Sequence, residues 1–195
     1  MLELDRLKGI LRRTLLVDRS RRENSAEHSW HISLMAVLLH EYASQDVDLL
    51  RVLKLLLVHD VVEIEAGDTY CYAPERGGQA EVERGAARRL FAQLPEDQER
   101  EMIALWEEFE ARETAEACFA AALDRLQPLL HNFATDGQTW RENGIRREQV
   151  VERCRPIGDG APELWKHAAE LIEEASARGL LAASDERPAG VTRDG

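Results

Sequence analysis

The sequence predicts an all-α fold, a compact single-domain helical bundle. Three observations predict it. The 195-residue chain is dominated by Ala, Leu, Glu and Arg and holds few β-branched residues, a composition that favours helices. Its apolar residues recur at i, i+3 and i+4 along most of its length. Gly and Pro are sparse, cluster between those periodic segments, and mark no change of composition that would split the chain into two domains.

Each element has a local reason. Leu4, Leu7, Ile10, Leu11 and Leu15 have helical spacing, and a loop follows from Asp18 to Asn24. In "NSAEHSWHISLMAVLLHEYA", Asn24 or Ser25 is the expected N-cap. Asn24 and Glu27 have the spacing of a capping box, and the helix should run to about Ala43. Asp46 is the expected cap of "VDLLRVLKLLLVHDVVEIEA", which Gly67 should stop. "TYCYAPERGG" reads as a loop, and residues 79–93 as a charged amphipathic helix. Pro95 opens "EDQEREMIALWEEFEA". Thr114 begins "AEACFAAALDRLQPLLHNFA", where Pro128 should kink or break the helix. A polar loop over 134–145, a short helix over 146–153 and a last helix over 161–179 complete a domain of residues 1–181, with 182–195 as a disordered tail.

Charge and termini narrow the function. A net charge of −12 argues against a general binder of nucleic acid polymers, because counterion release needs a basic surface. The charge is uneven: residues 1–22 hold seven Lys/Arg against three Asp/Glu. "RRTLLVDRSRR" is either a solvated helix end and loop or a surface for a small anion such as phosphate. The N-terminal segment carries Glu3 and Asp5 and no uninterrupted apolar core, so it reads as neither a signal peptide nor a membrane span. Cys71, Cys118 and Cys154 are far apart and form no CxxC, which argues for a reducing, cytoplasmic setting.

The chemistry concentrates in "LLLVHDVVEIEAGD". There an apolar run ends in His59 and Asp60, followed by Glu63, Glu65 and Asp68. Acids at a helix C-terminus oppose the macrodipole and repel one another unless a positive charge lies among them. Imidazole and carboxylate both suit a divalent first-row metal, and Glu63 shares the His59 face at i+4. Upstream, His28, His31 and His40 lie on one helix, each readable as an ordinary core or surface histidine. Downstream, Asp124 sits inside an apolar pattern and needs a partner, either an arginine such as Arg125 or a metal. Asp124, Gln127 and His131 make a polar stripe along that helix.

The order His28, His59-Asp60, Asp124 resembles the ligand order of the HD-domain phosphohydrolase superfamily. "RRENSAEHSW", "HDVVEIEAGD" and "ARETAEACFAAALDRLQPLL" are similar to blocks of the branch that includes bacterial 5′-deoxynucleotidases, over roughly residues 13–130. The resemblance implies one divalent metal ion (Mn, Co, Fe, Ni, Mg or Zn) held by His28, His59, Asp60 and Asp124. It implies Glu63 and Asp68 as the acids that handle water and protons, and Arg13 as a contact to the substrate phosphate. Thr14 stands where those relatives carry a tryptophan that selects the sugar, and Asp18 where some carry a basic residue, so phosphate contacts pass to Arg19, Arg21 or Arg22. The implied activity is phosphomonoester hydrolysis on a nucleoside 5′-monophosphate or similar small ester. The alternatives are a guanosine tetraphosphate-type pyrophosphohydrolase and a non-catalytic helical domain stapled by metal. The di-iron oxygenases of the superfamily need further histidines between the HD pair and the final Asp, and there is none from residue 60 to 123. Relatives also imply a homodimer, for which the helix bearing Trp106 and Phe109 would offer an apolar contact.

Overall fold

The structure, a computed structural model, describes residues 2–67, 72 and 78–183. A short helix α1 (Leu2–Asp5) runs into a 3-10 turn at Arg6–Gly9. The chain then departs from the predicted helix. Residues Leu11–Leu15 form a strand, β1, paired antiparallel with β2 (Arg22–Asn24). Backbone bonds from Ser25 N to Ile10 O and from Leu16 N to Arg21 O, each 3.0 Å, close the two ends. Between them Asp18 accepts from the Ser20 amide and hydroxyl, and Arg19 takes φ 61°. The apparent helical stripe does not face one core, since Leu4 and Leu11 are both exposed. The hairpin leaves the all-α class intact.

Helix α2 (Ser25–Leu39) starts at the capping box expected of Asn24 and Glu27, in which each side chain accepts from the other's backbone amide. It ends earlier than expected, in a 3-10 turn at His40–Tyr42. Helix α3 (Leu49–Val58) is capped by Asp48 rather than Asp46. Asp48 alone adjoins the first turn, where its carboxylate accepts from Leu50 N and Arg51 N at 2.9 and 3.3 Å. The expected continuous helix then tightens into a 3-10 turn at His59–Val62 before α4 (Glu63–Ala66), which Gly67 ends at φ 75°.

Helices α5 (Gln79–Phe91) and α6 (Glu96–Ala111) follow, then the central helix α7 (Ala115–Ala134), capped by Thr114. Pro128 lies inside α7 without breaking it. The segment expected as a loop holds a one-turn helix α8 (Gln138–Glu142). Then come α9 (Arg147–Cys154), α10 (Pro156–Gly160) and α11 (Pro162–Ala177). Beyond them Ala182 pairs with Arg146 in a parallel bridge, so the tail is tied down at its first residue; residues 184–195 lie outside the described residues.

The core forms around α7, which packs against α2, α3, α6 and α10. Phe119, Ala120, Ala122 and Leu123 of α7 meet Ile32, Leu55, Leu56 and Leu105 in one buried cluster. Trp106 and Phe109 belong to it too, at 3% and 4% exposure, so they are not the apolar surface expected for a dimer contact. At Gly160 the α10 backbone lies so close to α7 that a Cβ would fall onto the Cys118 carbonyl and within 2.8 Å of Phe119 N. Among the described residues no helix is long and apolar enough to cross a membrane.

Candidate metal centre and active site

Three elements bring the expected ligands together. The capping box fixes the start of α2 and so places His28 one turn in, fully buried. The 3-10 turn after α3 carries His59 and Asp60, and α7 brings Asp124 from the opposite side. Ligand atoms of His28, His59 and Asp124 all lie within 4.8 Å of one another. Asp60 joins them through Oδ1, 2.9 Å from His59 Nε2.

Both imidazoles are oriented from behind. The Nδ1–H of His28 donates to Gln127 Oε1 at 3.1 Å, and that of His59 to the Leu56 carbonyl at 2.8 Å. In a neutral ring this leaves Nε2 with a bare lone pair. His28 Nε2 faces Asp124 Oδ1 at 2.9 Å; His59 Nε2 faces the same oxygen at 3.7 Å. His59 Nε2 is buried and has no hydrogen-bond partner among the described residues. Two nitrogen lone pairs turned toward carboxylate oxygens repel unless a cation lies among them, so the donor set fits a divalent metal.

The electrostatics agree. Burial and the nearby Arg12 guanidinium push the His28 pKa down to about 4, so the ring is neutral at pH 7 and able to ligate. Burial alone would raise the Asp60 pKa, but its contacts with the His59 ring and the Arg12 guanidinium outweigh it and hold the carboxyl well below the usual range. Arg12 Nη1 donates to Asp60 Oδ2 at 2.7 Å, and the same guanidinium lies 4.0 Å from both Glu23 and Asp124. Asp124 also pairs with Arg125 through its other oxygen. Burial tends to raise the Glu23 pKa too, yet His28, His131 and Arg12 bring it below the ordinary value.

The other expected residues fall in several places. Glu63 is half-buried and accepts from Ser25 Oγ at 2.5 Å, which ties the acid to the α2 end that carries His28. Asp68 lies outside the described residues. Arg13, expected to meet the phosphate, is exposed, and it is Arg12 that reaches the ligand cluster. The cause is the strand: β1 turns alternate residues inward, so Arg12 and Thr14 face in while Leu11 and Arg13 face out. Arg21 is not brought to the cluster; both terminal nitrogens bind Glu27 at the surface, at 2.8 and 2.6 Å. Glu65, one of the acids after the HD pair, is taken up by Arg89 of α5 at 2.7 Å.

Sequence reasoning missed three participants. Arg12 carried no strand signal of its own: "LRRTL" does not alternate apolar and polar residues, and the helical spacing around it pointed to a helix. Gln127 stood in the polar stripe with Asp124, but its link to His28 is set by tertiary packing. Glu23, between Arg22 and Asn24, reads as a solvated loop acid, yet it is 1% exposed.

The comparisons fit this geometry. A family model described as "HD domain" matches residues 4–165. The bovine protein named 5′-deoxynucleotidase HDDC2 is 34% identical over 84% of this chain and 77% of its own length. The human protein of that name is 32% identical over 56% of this chain, a match that spans about half (53%) of the human protein. A crystal structure described as a predicted metal-dependent phosphohydrolase from Magnetospirillum magnetotacticum MS-1 is 55% identical, with TM-score 0.89 over 93% of this chain and 92% of the other. A conserved hypothetical protein from Pyrococcus furiosus, 20% identical with TM-score 0.58 over 90% of this chain and 96% of the other, shares the fold. With a family match across most of the chain and the histidine–aspartate cluster assembled at its centre, this protein belongs to the HD-domain phosphohydrolase superfamily.

Proposed function

We propose that the chain is a metal-dependent phosphomonoesterase acting on nucleoside 5′-monophosphates or similar small phosphate esters. The observation that carries this reading is the pairing of the buried cluster at His28, His59, Asp60 and Asp124 with a guanidinium, Arg12, held 2.7 Å from one of its carboxylates. A structural staple needs the ligands alone; a phosphate site also needs the cation. The names of the bovine and human relatives support a nucleotide substrate, and that of the bacterial one a metal-dependent hydrolysis.

In this reading His28, His59, Asp60 and Asp124 hold the ion. A divalent metal there would ease deprotonation of a water and polarise a phosphate oxygen. The remaining work belongs to the chain. Arg12 receives the phosphate in place of Arg13 and neutralises charge that grows on its oxygens. Glu63, oriented by the Ser25 hydroxyl, positions the attacking water or protonates the leaving alkoxide; Asp68 is its partner in that task. Thr14 lies on the same inward strand face as Arg12, so a short hydroxyl-bearing side chain, not a large ring, stands near the sugar. A ribose 2′-hydroxyl is then tolerated.

The test is a phosphate-release screen of ribo- and deoxyribonucleoside 5′-monophosphates with each divalent metal. Hydrolysis of both members of an AMP/dAMP pair supports the reading. A dAMP preference of about a thousandfold, roughly 4 kcal/mol, would overturn the Thr14 argument. Release of pyrophosphate from guanosine tetraphosphate, with none of phosphate from any monophosphate, would overturn the monoesterase reading.

A further inference from the structure

We infer that the chain carries a second divalent-metal site, formed by Glu23, His31 and His131, next to the HD centre. Their ligand atoms lie within 4.8 Å of one another, as in the first cluster. They come from three elements: Glu23 from β2, His31 from α2 and His131 from α7. The two imidazole centroids are 5.4 Å apart. Both histidines fall outside the interval between the HD pair and Asp124, where a second centre would be sought from the family pattern.

The hydrogen bonding calls for a cation. The Nδ1–H of His131 donates to the Leu15 carbonyl at 3.1 Å, so its Nε2 presents a lone pair. Around Gln127 Nε2 lie Glu23 Oε1 at 2.6 Å, His131 Nε2 at 3.2 Å and His31 Nδ1 at 3.3 Å. An amide nitrogen has two hydrogens to offer, and Glu23, His131 and, in the tautomer whose Nδ1 is bare, His31 all turn acceptors toward it. The second Glu23 oxygen is also buried and accepts no hydrogen bond among the described residues; it lies 3.6 Å from His28 Nδ1 and 4.0 Å from Arg12 Nε, on the side of the HD centre, while the first oxygen faces the second cluster. A buried carboxylate with two imidazole nitrogens and too few protons is a ligand set awaiting positive charge. The amide nitrogen supplies a fraction of that charge. A metal ion supplies it in full and takes the place of the amide at the same lone pairs.

Two imidazoles and one carboxylate suit Mn²⁺, Fe²⁺, Co²⁺, Ni²⁺ or Zn²⁺. His31 is only partly buried, whereas His28 of the HD centre is fully buried. Gln127 joins the two, with Oε1 on His28 Nδ1 and Nε2 at the second cluster. Filling the second site therefore disturbs the group that orients a ligand of the first.

The test reads metal content and does not depend on what the enzyme hydrolyses. Chelator-stripped protein is titrated with Co²⁺ by calorimetry, and bound cobalt is measured by elemental analysis after desalting. The wild-type chain should take up two equivalents. His31→Ala and His131→Ala should each take up one, as should Asp124→Ala, which removes the other site. One equivalent in the wild-type chain overturns the inference, and so does a second equivalent that survives His31→Ala. If His131→Ala fails to fold by circular dichroism, His31→Ala decides alone, because that side chain is not part of the apolar core. Failure of the phosphomonoesterase reading would leave these stoichiometries unchanged.

Discussion

Replacing Arg12 and Arg13 one at a time separates the strand from the helix that the sequence spacing predicts. Arg12 is 12% exposed at its side chain and donates to an Asp60 that is 10% exposed, with Glu23 and Asp124 also within 4.0 Å. Removing one partner from a nearly buried pair costs about 3–5 kcal/mol, because it leaves the other charge uncompensated. In a chain of this size each kcal/mol moves Tm by about 2–4 °C, so Arg12→Ala should lower Tm by on the order of 10 °C. Arg13 is exposed, and a surface substitution of that kind stays within about 0.5 kcal/mol, or roughly 2 °C. Thermal melts followed by circular dichroism in chelator measure both. Adding saturating Mn²⁺ should shrink the Arg12→Ala deficit, since a cation beside Asp60 restores the missing positive charge. The same variant should lose about ten- to a hundredfold or more in kcat/KM, the worth of a charge-assisted hydrogen bond of about 1.5–3 kcal/mol. Equal losses for Arg12→Ala and Arg13→Ala, or a larger one for Arg13→Ala, would refute the reasoning.

Glu63→Gln should keep the metal and lower turnover about 10²–10⁴-fold if Glu63 handles the proton; phosphate release at the wild-type rate would move that role to Asp68. Gly160→Ala should destabilise the fold by about 1–3 kcal/mol or more, read by denaturant unfolding, because the new methyl meets the α7 backbone and not a movable side chain. Stability of the metal-stripped protein should fall as pH drops from about 6.5 to about 4, since the unfolded chain protonates His28 at pH values where the folded chain does not. The full loss from that group is roughly 3 kcal/mol at 1.36 kcal/mol per tenfold. Urea melts at pH 7 and pH 5 that agree for the wild-type chain in chelator would contradict it.

The helical class was legible because composition, apolar period and caps agreed. Asn24, Thr114, Pro95 and Gly67 punctuate the chain where their chemistry says they should. The hairpin was hidden because Leu7 and Ile10 extend a helical spacing into a segment that pairs as a strand. That error carried into the site, since it hid which of two adjacent arginines faces inward. His28, His59, Asp60 and Asp124 were legible as a set through order and context, and the structure brings them together. Gln127 and Glu23 were not legible as participants. Their roles come from contacts across about a hundred residues of sequence, His28 to Gln127 and Glu23 to Gln127, which no local pattern encodes.

The central claim is that the histidine–aspartate cluster holds the ion on which hydrolysis depends, and Asp60→Ala tests it most directly. Chelator-stripped wild-type protein should release no phosphate from nucleoside 5′-monophosphates and should recover when a divalent metal is returned. Folded Asp60→Ala should bind one equivalent less metal than the wild-type chain, by elemental analysis, and should release no phosphate under the same conditions. Phosphate release by the wild-type chain in chelator, or by Asp60→Ala with its full metal content, would contradict the account.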